Sequence, residues 1–340
     1  MRVLFVGGTG IISTACTQLA IDRGVELYLL NRGRRPLPQG ARSIVADFAD
    51  EAAVGEALAH HRFDAVVDFI AFTDADIERD IRLFRDRTDQ FVFISSASAY
   101  QKPPADWIVR EDTPLANPYW QYARDKIACE ERLTRAFREE GFPATIIRPS
   151  LTYGDTQAPL VTNSWEKPYT ILARMRAGKP VVVPGDGTSL WTVTHNTDFA
   201  VGLLGLLGRD AAVGQAFTIT GDEVLTWDQI YRQTARAAGA EAKIVHIATD
   251  FIAACLPDQV GSLLGDKVRS AVFDNSKIKR FVPDFATRTP FARGIERTVA
   301  WLDADPSRQE IDRELDAQFD RLIAAYARGL AAAVAEFRGA

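Results

Sequence analysis

Residues 3–13 read Val-Leu-Phe-Val-Gly-Gly-Thr-Gly-Ile-Ile-Ser. Val3 to Val6 form an uninterrupted apolar run, long enough for a strand buried on both faces. Gly7, Gly8 and Gly10 follow at once, and a helix-like stretch then runs from Ile12 to near Gly24. Strand, glycine turn and helix in this order are the context in which a glycine cluster receives a dinucleotide pyrophosphate. The anion must reach bare backbone N–H groups at the helix N-terminus, where the helix dipole favours negative charge. Side chains at Gly7 and Gly10 would block that approach. Ser13 stands where the usual pattern has its third glycine, and it is small enough for close packing of helix on strand.

The chain has 340 residues, of which 47% are hydrophobic and 25% charged, ordinary values for a globular protein with a large core. A net charge of −5 supplies no field suited to coating nucleic acid or an anionic membrane. No apolar run approaches the ~20 residues of a spanning helix. Cys16, Cys129 and Cys255 are isolated and lack CxxC spacing, so they read as reduced thiols of a cytoplasmic protein. His60, His61, His195 and His246 show no metal-ligand spacing, and the His60–His61 pair reads as a solvated helix end.

Strand and helix patterns alternate through the first half. Strands are expected at Glu26–Leu30, Ser43–Ala46, Asp64–Phe69, Gln90–Ser95 and Ala144–Arg148. Helices are expected at Ala52–His60, along the Ile77, Ile81, Phe84 stripe, and from Tyr119 to Glu140. Such alternation with short connections predicts parallel strands joined by right-handed crossovers, a doubly wound α/β sheet. Beyond residue 155 the regularity loosens. A helix at Tyr169–Ala177, a strand at Pro180–Val183, a helix at Asp198–Leu207 and a strand at Ala216–Thr220 are expected, with helix and loop alternating from Thr226 to Phe285. Residues 155–304 therefore read as a smaller lobe interleaved with the 1–154 domain. Residues 305–340 read as one long helix with Asp305 as cap and Pro306 in its first turn. In that segment Ile311, Leu315, Phe319, Leu322, Tyr326, Leu330, Val334 and Phe337 form an apolar stripe, interrupted at Gly329. At ~1.5 Å per residue the helix would run nearly ~50 Å, which points to a role in dimer contact or as a lid.

Two constellations fall where the carboxyl edge of the sheet is expected. Ser95-Ser96-Ala97-Ser98-Ala99-Tyr100 follows the fifth strand, and Tyr122-Ala123-Arg124-Asp125-Lys126 lies on the next helix. Tyr122 and Lys126 are one turn apart on the same helical face. A neighbouring ammonium favours the phenolate, so a tyrosine with an ordinary pKa near ~10 can exchange a proton with a substrate hydroxyl near neutral pH. A serine hydroxyl on the facing loop can hold the same substrate oxygen.

With these motifs the chain resembles the extended short-chain dehydrogenases/reductases, the class of nucleotide-sugar epimerases and dehydratases. The resemblance runs from residue 1 to about 300, and its specific motifs lie in the first 155. It implies a Rossmann-type fold with a C-terminal substrate lobe. Gly7, Gly8, Thr9, Gly10, Ile11 and Ile12 resemble the pyrophosphate loop. Asp47 and Phe48 resemble the adenine-contacting pair, and Ala71 the small residue beside the cofactor ribose. Ser96 takes the place of the catalytic Ser/Thr after Ser95, with Tyr122 as acid/base and Lys126 its partner. Arg148-Pro149 and Tyr153-Gly154 resemble the motif flanking the nicotinamide.

Departures narrow the expectation. Family dehydratases carry an acidic pair after the catalytic Thr, whereas Ala97 and Ser98 stand here, against 4,6-dehydration. Trp191 falls where many nucleotide-sugar enzymes have an arginine gripping the substrate diphosphate. Gly-Gly-Thr-Gly and Asn31-Arg32-Gly33 also resemble a branch related to chloroplast stem-loop RNA-binding proteins. The second strand ends Leu30-Asn31-Arg32 rather than in Asp or Glu, with Arg34 and Arg35 close behind, a pattern favouring NADP over NAD. The expected protein is an NAD(P)-dependent oxidoreductase or epimerase acting on a sugar or nucleotide-sugar derivative. It would use no metal and would form a homodimer. The rival expectation is a non-catalytic RNA- or protein-binding module of the same fold.

Overall fold

The computed structural model describes residues 1–339. Val3 and Phe5 enter one hydrophobic core and Leu4 and Val6 enter another, and all four are fully buried. This alternation is the period of a strand covered on both faces. The strand is β1 (Arg2–Val6), followed by β2 (Glu26–Asn31), β3 (Arg42–Val45), β4 (Ala65–Asp68), β5 (Phe91–Ile94), β6 (Ala144–Pro149) and β7 (Ala216–Ile219). They form one seven-stranded sheet in the order β7-β6-β5-β4-β1-β2-β3, every pairing parallel. The doubly wound sheet predicted from the alternation is therefore the fold.

Helices α1 (Ile11–Asp22), α2 (Glu51–Ala57), α3 (Asp74–Phe84) and α4 (Gln121–Glu140) connect the strands. Cys16 and Ala20 of α1 pack with Val3, Phe5 and with Leu203 of the helix Asn196–Leu206 on one face. On the other face, Val54, Ile77, Ile81 and Leu133 from α2, α3 and α4 cover Leu4 and Val6. The start of α3 follows from its sequence: Thr73 caps it, and Asp76 returns hydrogen bonds to the N–H groups of Phe72 and Thr73, both at 3.0 Å.

The chain divides into two units. The sheet unit comprises residues 1–152, 192–222 and 273–289, and the second comprises residues 153–191, 223–272 and Pro290 onward. Within the second unit, Ile244–Ile247 is a strand that pairs in parallel with Val181–Pro184. Sequence reading gave helix and loop there, because a strand of four residues, of which only Ile247 is buried, carries too little pattern to stand out. The last helix also begins later than expected. Pro306 opens a separate short turn, Pro306–Arg308, in which Asp305 accepts from the Ser307 N–H at 2.9 Å. The helix itself is Arg313–Arg338, with Asp312 accepting from Leu315 N–H at 3.1 Å as its cap. Its 26 residues span about 39 Å rather than ~50 Å. Its first turns are pinned inside the unit by the fully buried Arg174, which pairs with Asp316 at 2.7 Å and Asp320 at 2.6 Å. Phe319 and Leu322 are buried, whereas Leu330 and Phe337, 53% and 93% exposed, are not. No helix among the described residues is long and apolar enough to cross a membrane.

The turn between β1 and α1 shows what each glycine is for. Gly7 and Gly8 have φ of +100° and +94°, backbone that L side chains resist, and a Cβ on Gly8 would lie 2.8 Å from Leu29 Cδ2. Gly10 is different: its φ is −90°, and a Cβ there would meet only Ser13 Oγ, at 3.5 Å. The protein's own packing does not require glycine at the N-terminus of α1. Gly8→Ala should accordingly lower unfolding free energy by about 1–2 kcal/mol. Gly10→Ser keeps a good helix cap and should stay within about 0.5 kcal/mol of the parent. Urea unfolding checks both, and dinucleotide titration of Gly10→Ser should show the loss that stability does not.

Candidate active site

Between β1 and β4 the strand order reverses, which opens a crevice at the carboxyl ends of the strands. An open cleft of about 550 Å³ lies there, lined by Gly7 and Thr9 of the glycine turn, Asn31 and Arg32 after β2, and Asp47 and Phe48 after β3. Arg34, Arg35, Ile70 and Arg79 complete it. The Asn31 side chain accepts from Gly33 N–H at 2.8 Å and folds the arginine loop back, and Arg35 donates to the Thr9 carbonyl across the cleft. Arg79 sits over the Phe48 ring, its guanidinium carbon 4.0 Å from the centroid. Four guanidinium groups and one exposed carboxylate, Asp47, give the cleft the charge an anionic ligand needs. The donors, the open space at Gly10 and the N–H groups of α1 fit a dinucleotide.

At the other end of the same edge stands Lys126. Its side chain is buried, and Nζ donates to the Ala71 carbonyl at 2.7 Å and the Ile94 carbonyl at 2.8 Å. The ammonium lies 4.6 Å from the ring centroids of Phe72 and Phe93 and 5.9 Å from that of Tyr122. Burial outweighs the nearby Asp68, Glu130 and Asp76 charges and lowers its pKa to about 8. The group is still an ammonium at neutral pH and loses its charge as pH rises through 8. One turn earlier, the Tyr122 ring packs between Trp120, with centroids 4.8 Å apart, and Phe72, at 6.3 Å. Tyr122 and Lys126 thus share a face, as their spacing predicts.

Ser96 follows β5 at the start of a short turn, where its hydroxyl accepts from Ser98 N–H at 3.1 Å and bonds the Ser98 hydroxyl at 2.8 Å. Sequence reading missed Asn117, which joins the two constellations. Its buried side chain donates to the Ser98 carbonyl at 2.8 Å and accepts from the N–H groups of Tyr119 and Trp120, both at 3.2 Å. The Asn117-Pro118 pair was the available signal, since Asn before a helix commonly ties up free N–H groups.

Several of the expected contact residues are engaged within the protein itself. Ser95 is buried and its hydroxyl donates to Glu130, so its side chain serves the core rather than a cofactor. Arg148 is committed to the same network, pairing with Glu130 at 2.6 Å and donating to the Tyr100 hydroxyl at 3.1 Å. Pro149 ends β6 beside it. Gly8 is buried beneath the turn, and Ile11 offers its carbonyl to Asn196 at 2.7 Å. Ile12 packs against the α1 core. Ala71 is buried and contributes its backbone. His61 is not merely a solvated helix end: it stacks on Phe63, with centroids 5.7 Å apart, and bonds Arg2 at 2.9 Å.

Residues 3–220 match the NAD dependent epimerase/dehydratase family. The chain is 26% identical over 309 residues to the 2'-dehydrokanamycin reductase of Streptomyces kanamyceticus, covering 89% of this chain and 84% of that one. It is 27% identical over 261 residues to the chloroplast stem-loop binding protein of 41 kDa b of Arabidopsis thaliana, covering 72% of this chain and 65% of that one. Among solved structures, the UDP-glucuronic acid 4-epimerase of Bacillus cereus in complex with NAD shares the fold, with a TM-score of 0.69 at 18% identity over 89% of this chain and 99% of that one. With the reversed strand order, the glycine turn and the matched span in agreement, the chain belongs to the NAD-dependent epimerase/dehydratase family.

Proposed function

We propose that this protein is an NAD(P)-dependent oxidoreductase or epimerase that acts on a hydroxyl-bearing or keto carbon of a sugar or nucleotide-sugar derivative. The observation that carries this reading is the buried ammonium of Lys126 on the same face as Tyr122, beside an arginine-lined cleft. When bound, the dinucleotide supplies hydride transfer. Tyr122 exchanges the proton of the substrate hydroxyl, Lys126 favours the phenolate, and Ser96 holds the substrate oxygen. Ala97 and Ser98, in place of an acidic pair, leave no group to eliminate water. Trp191 is buried, donates Nε1–H to the Lys267 carbonyl at 2.9 Å and packs at a tilt against Trp227, so it offers no grip for a diphosphate. This favours a sugar ketone such as that in the name of the kanamycin-type relative over a nucleotide-linked one. The net charge of −5 weighs against the RNA-binding alternative suggested by the chloroplast relative.

The test is Tyr122→Phe, assayed on keto-aminoglycosides and UDP-sugars by dinucleotide absorbance and by product stereochemistry, because an epimerase shows no net cofactor turnover. Turnover should fall ~10²-fold or more with dinucleotide affinity little changed. Full activity in the variant would overturn the assignment.

NADP is the favoured dinucleotide, because Arg32 and Arg34 line the ribose end and no Asp or Glu follows β2 to repel a 2′-phosphate. Arg32→Ala should weaken NADP about tenfold, the size of one charge-assisted hydrogen bond, and leave NAD nearly unchanged. Equal losses, or none, in a calorimetric titration would count against the contact.

The protein is also read as a homodimer. Leu330, Val334 and Phe337 continue, on the same helical face, the seam that Phe319 and Leu322 bury, and a second copy around a two-fold axis would cover it. Leu330→Glu with Phe337→Glu should halve the mass seen by light scattering without loss of helical signal. A wild-type monomer, or an unchanged mass in the variant, would contradict this.

A further inference from the structure

Asp68 ends β4 and is completely buried. Its Oδ1 accepts from the N–H groups of Ile70 at 2.5 Å and Ala71 at 2.8 Å, and so bends the chain sharply after the strand. The Ala71 carbonyl that this bend presents is one of the two that receive Lys126. Asp80, on α3, is also completely buried. Its Oδ1 accepts from Nε and Nη2 of Arg79, at 3.2 and 3.1 Å. The remaining Oδ2 atoms of both aspartates are buried without any other donor, and the two side chains lie within hydrogen-bonding reach of each other. Two ionised carboxylates cannot share that space, whereas one proton between them satisfies both oxygens.

We propose that Asp68 and Asp80 form a single proton-sharing pair, with Asp80 as the acid and Asp68 as the carboxylate, that positions Lys126 and supplies its counter-charge. The two acids are positioning residues acting through the backbone of Ile70 and Ala71, and neither touches the substrate.

The proton belongs on Asp80 because Asp68 has two backbone N–H groups that favour its charged form. Burial raises both acids, and Asp80 is raised further by the charge of Asp68 against the opposing pull of Arg79. The pair also reaches the far end of the cleft, since the same Arg79 bonds Asp76 at 3.1 Å and packs on Phe48. One buried unit therefore ties the adenine side, through Arg79, to the nicotinamide side, through Ala71. The charged and titratable groups facing Lys126 are Asp68, Asp76, Glu130, Cys129 and Tyr122. Asp68 is joined to Lys126 through a hydrogen-bonded bend, Asp68 to Ala71 N–H and Ala71 carbonyl to Nζ, and Asp76 joins the same bend by accepting from Phe72 N–H at 3.0 Å.

This inference rests on the reading of Lys126 as the partner of Tyr122, but its test needs no substrate. Carbon-13 at the lysine ε-position, assigned with Lys126→Arg, reports the ionisation of Lys126 directly. Asp80→Asn keeps a donor toward Asp68 and should leave Lys126 titrating near 8, as in the parent. The double variant Asp68→Asn/Asp80→Asn keeps the shape, removes the charge, and should bring Lys126 below about 7. The infrared band of a protonated carboxylic acid should be present in the parent at neutral pH and lost in Asp80→Asn. Asp80→Val orphans Asp68 and should weaken NADPH binding tenfold or more, whereas Asp80→Asn should not. An unshifted Lys126 in the double variant, or no protonated-acid band in the parent, overturns the pair. If Asp80→Val fails to fold, those two measurements still decide. If Tyr122→Phe were fully active, the catalytic reading would fail while the shift of Lys126 in the double variant stood.

Discussion

An ammonium inside a sheet edge is the constraint on which the site depends. Taking a lysine charge out of water costs several kcal/mol, and a partner must offset that or the group sheds its proton. Lys126 keeps its charge at neutral pH because two carbonyls, three aromatic faces and a nearby carboxylate receive it. Those carbonyls belong to Ala71, just after β4, and Ile94, at the end of β5. The same contact that holds the charge therefore fixes the two neighbouring strand ends that frame the site. Tyr122 is placed one turn away on a helix whose buried face includes Ala123, Cys129 and Leu133, so its position follows from core packing.

The carboxyl edge of the sheet divides its chemistry between its ends. Arginines crowd the end formed after β2 and β3, where an anionic phosphate would be neutralised, while aromatic rings and one ammonium crowd the end after β4 and β5. The glycine turn lies between them, with Gly7 and Gly8 fixing the backbone and Gly10 leaving space. A fold shared at under a fifth sequence identity with solved epimerases supports many reactions. The functional reading therefore stands on these side chains rather than on the sheet.

Much of this was legible in sequence because its signals are local. Val3–Val6 followed by three glycines announces both strand and turn, and the Tyr122–Lys126 spacing defines a helical face without any distant contact. What escaped detection depends on long-range contacts. Asn117 matters because Ser98 and Trp120 meet on it, and Arg79 because Phe48 comes beneath it. Ser95 has the chemistry of a cofactor contact, but Glu130, 35 residues later, claims its hydroxyl. The strand Ile244–Ile247 was missed because four residues give too short a period, and its partner at Val181–Pro184 is remote. Pro306 carried a helix-start signal, but Asp312 supplied the cap that the long helix uses.

The central claim is that a nicotinamide dinucleotide occupies the cleft between the glycine turn and Tyr122. Native mass spectrometry of the gently purified protein, before and after incubation with NADH or NADPH, measures this directly. One dinucleotide per chain, retained on purification or bound at micromolar concentration, is the predicted result. A chain that emerges bare and stays bare with either dinucleotide at millimolar concentration would contradict the account.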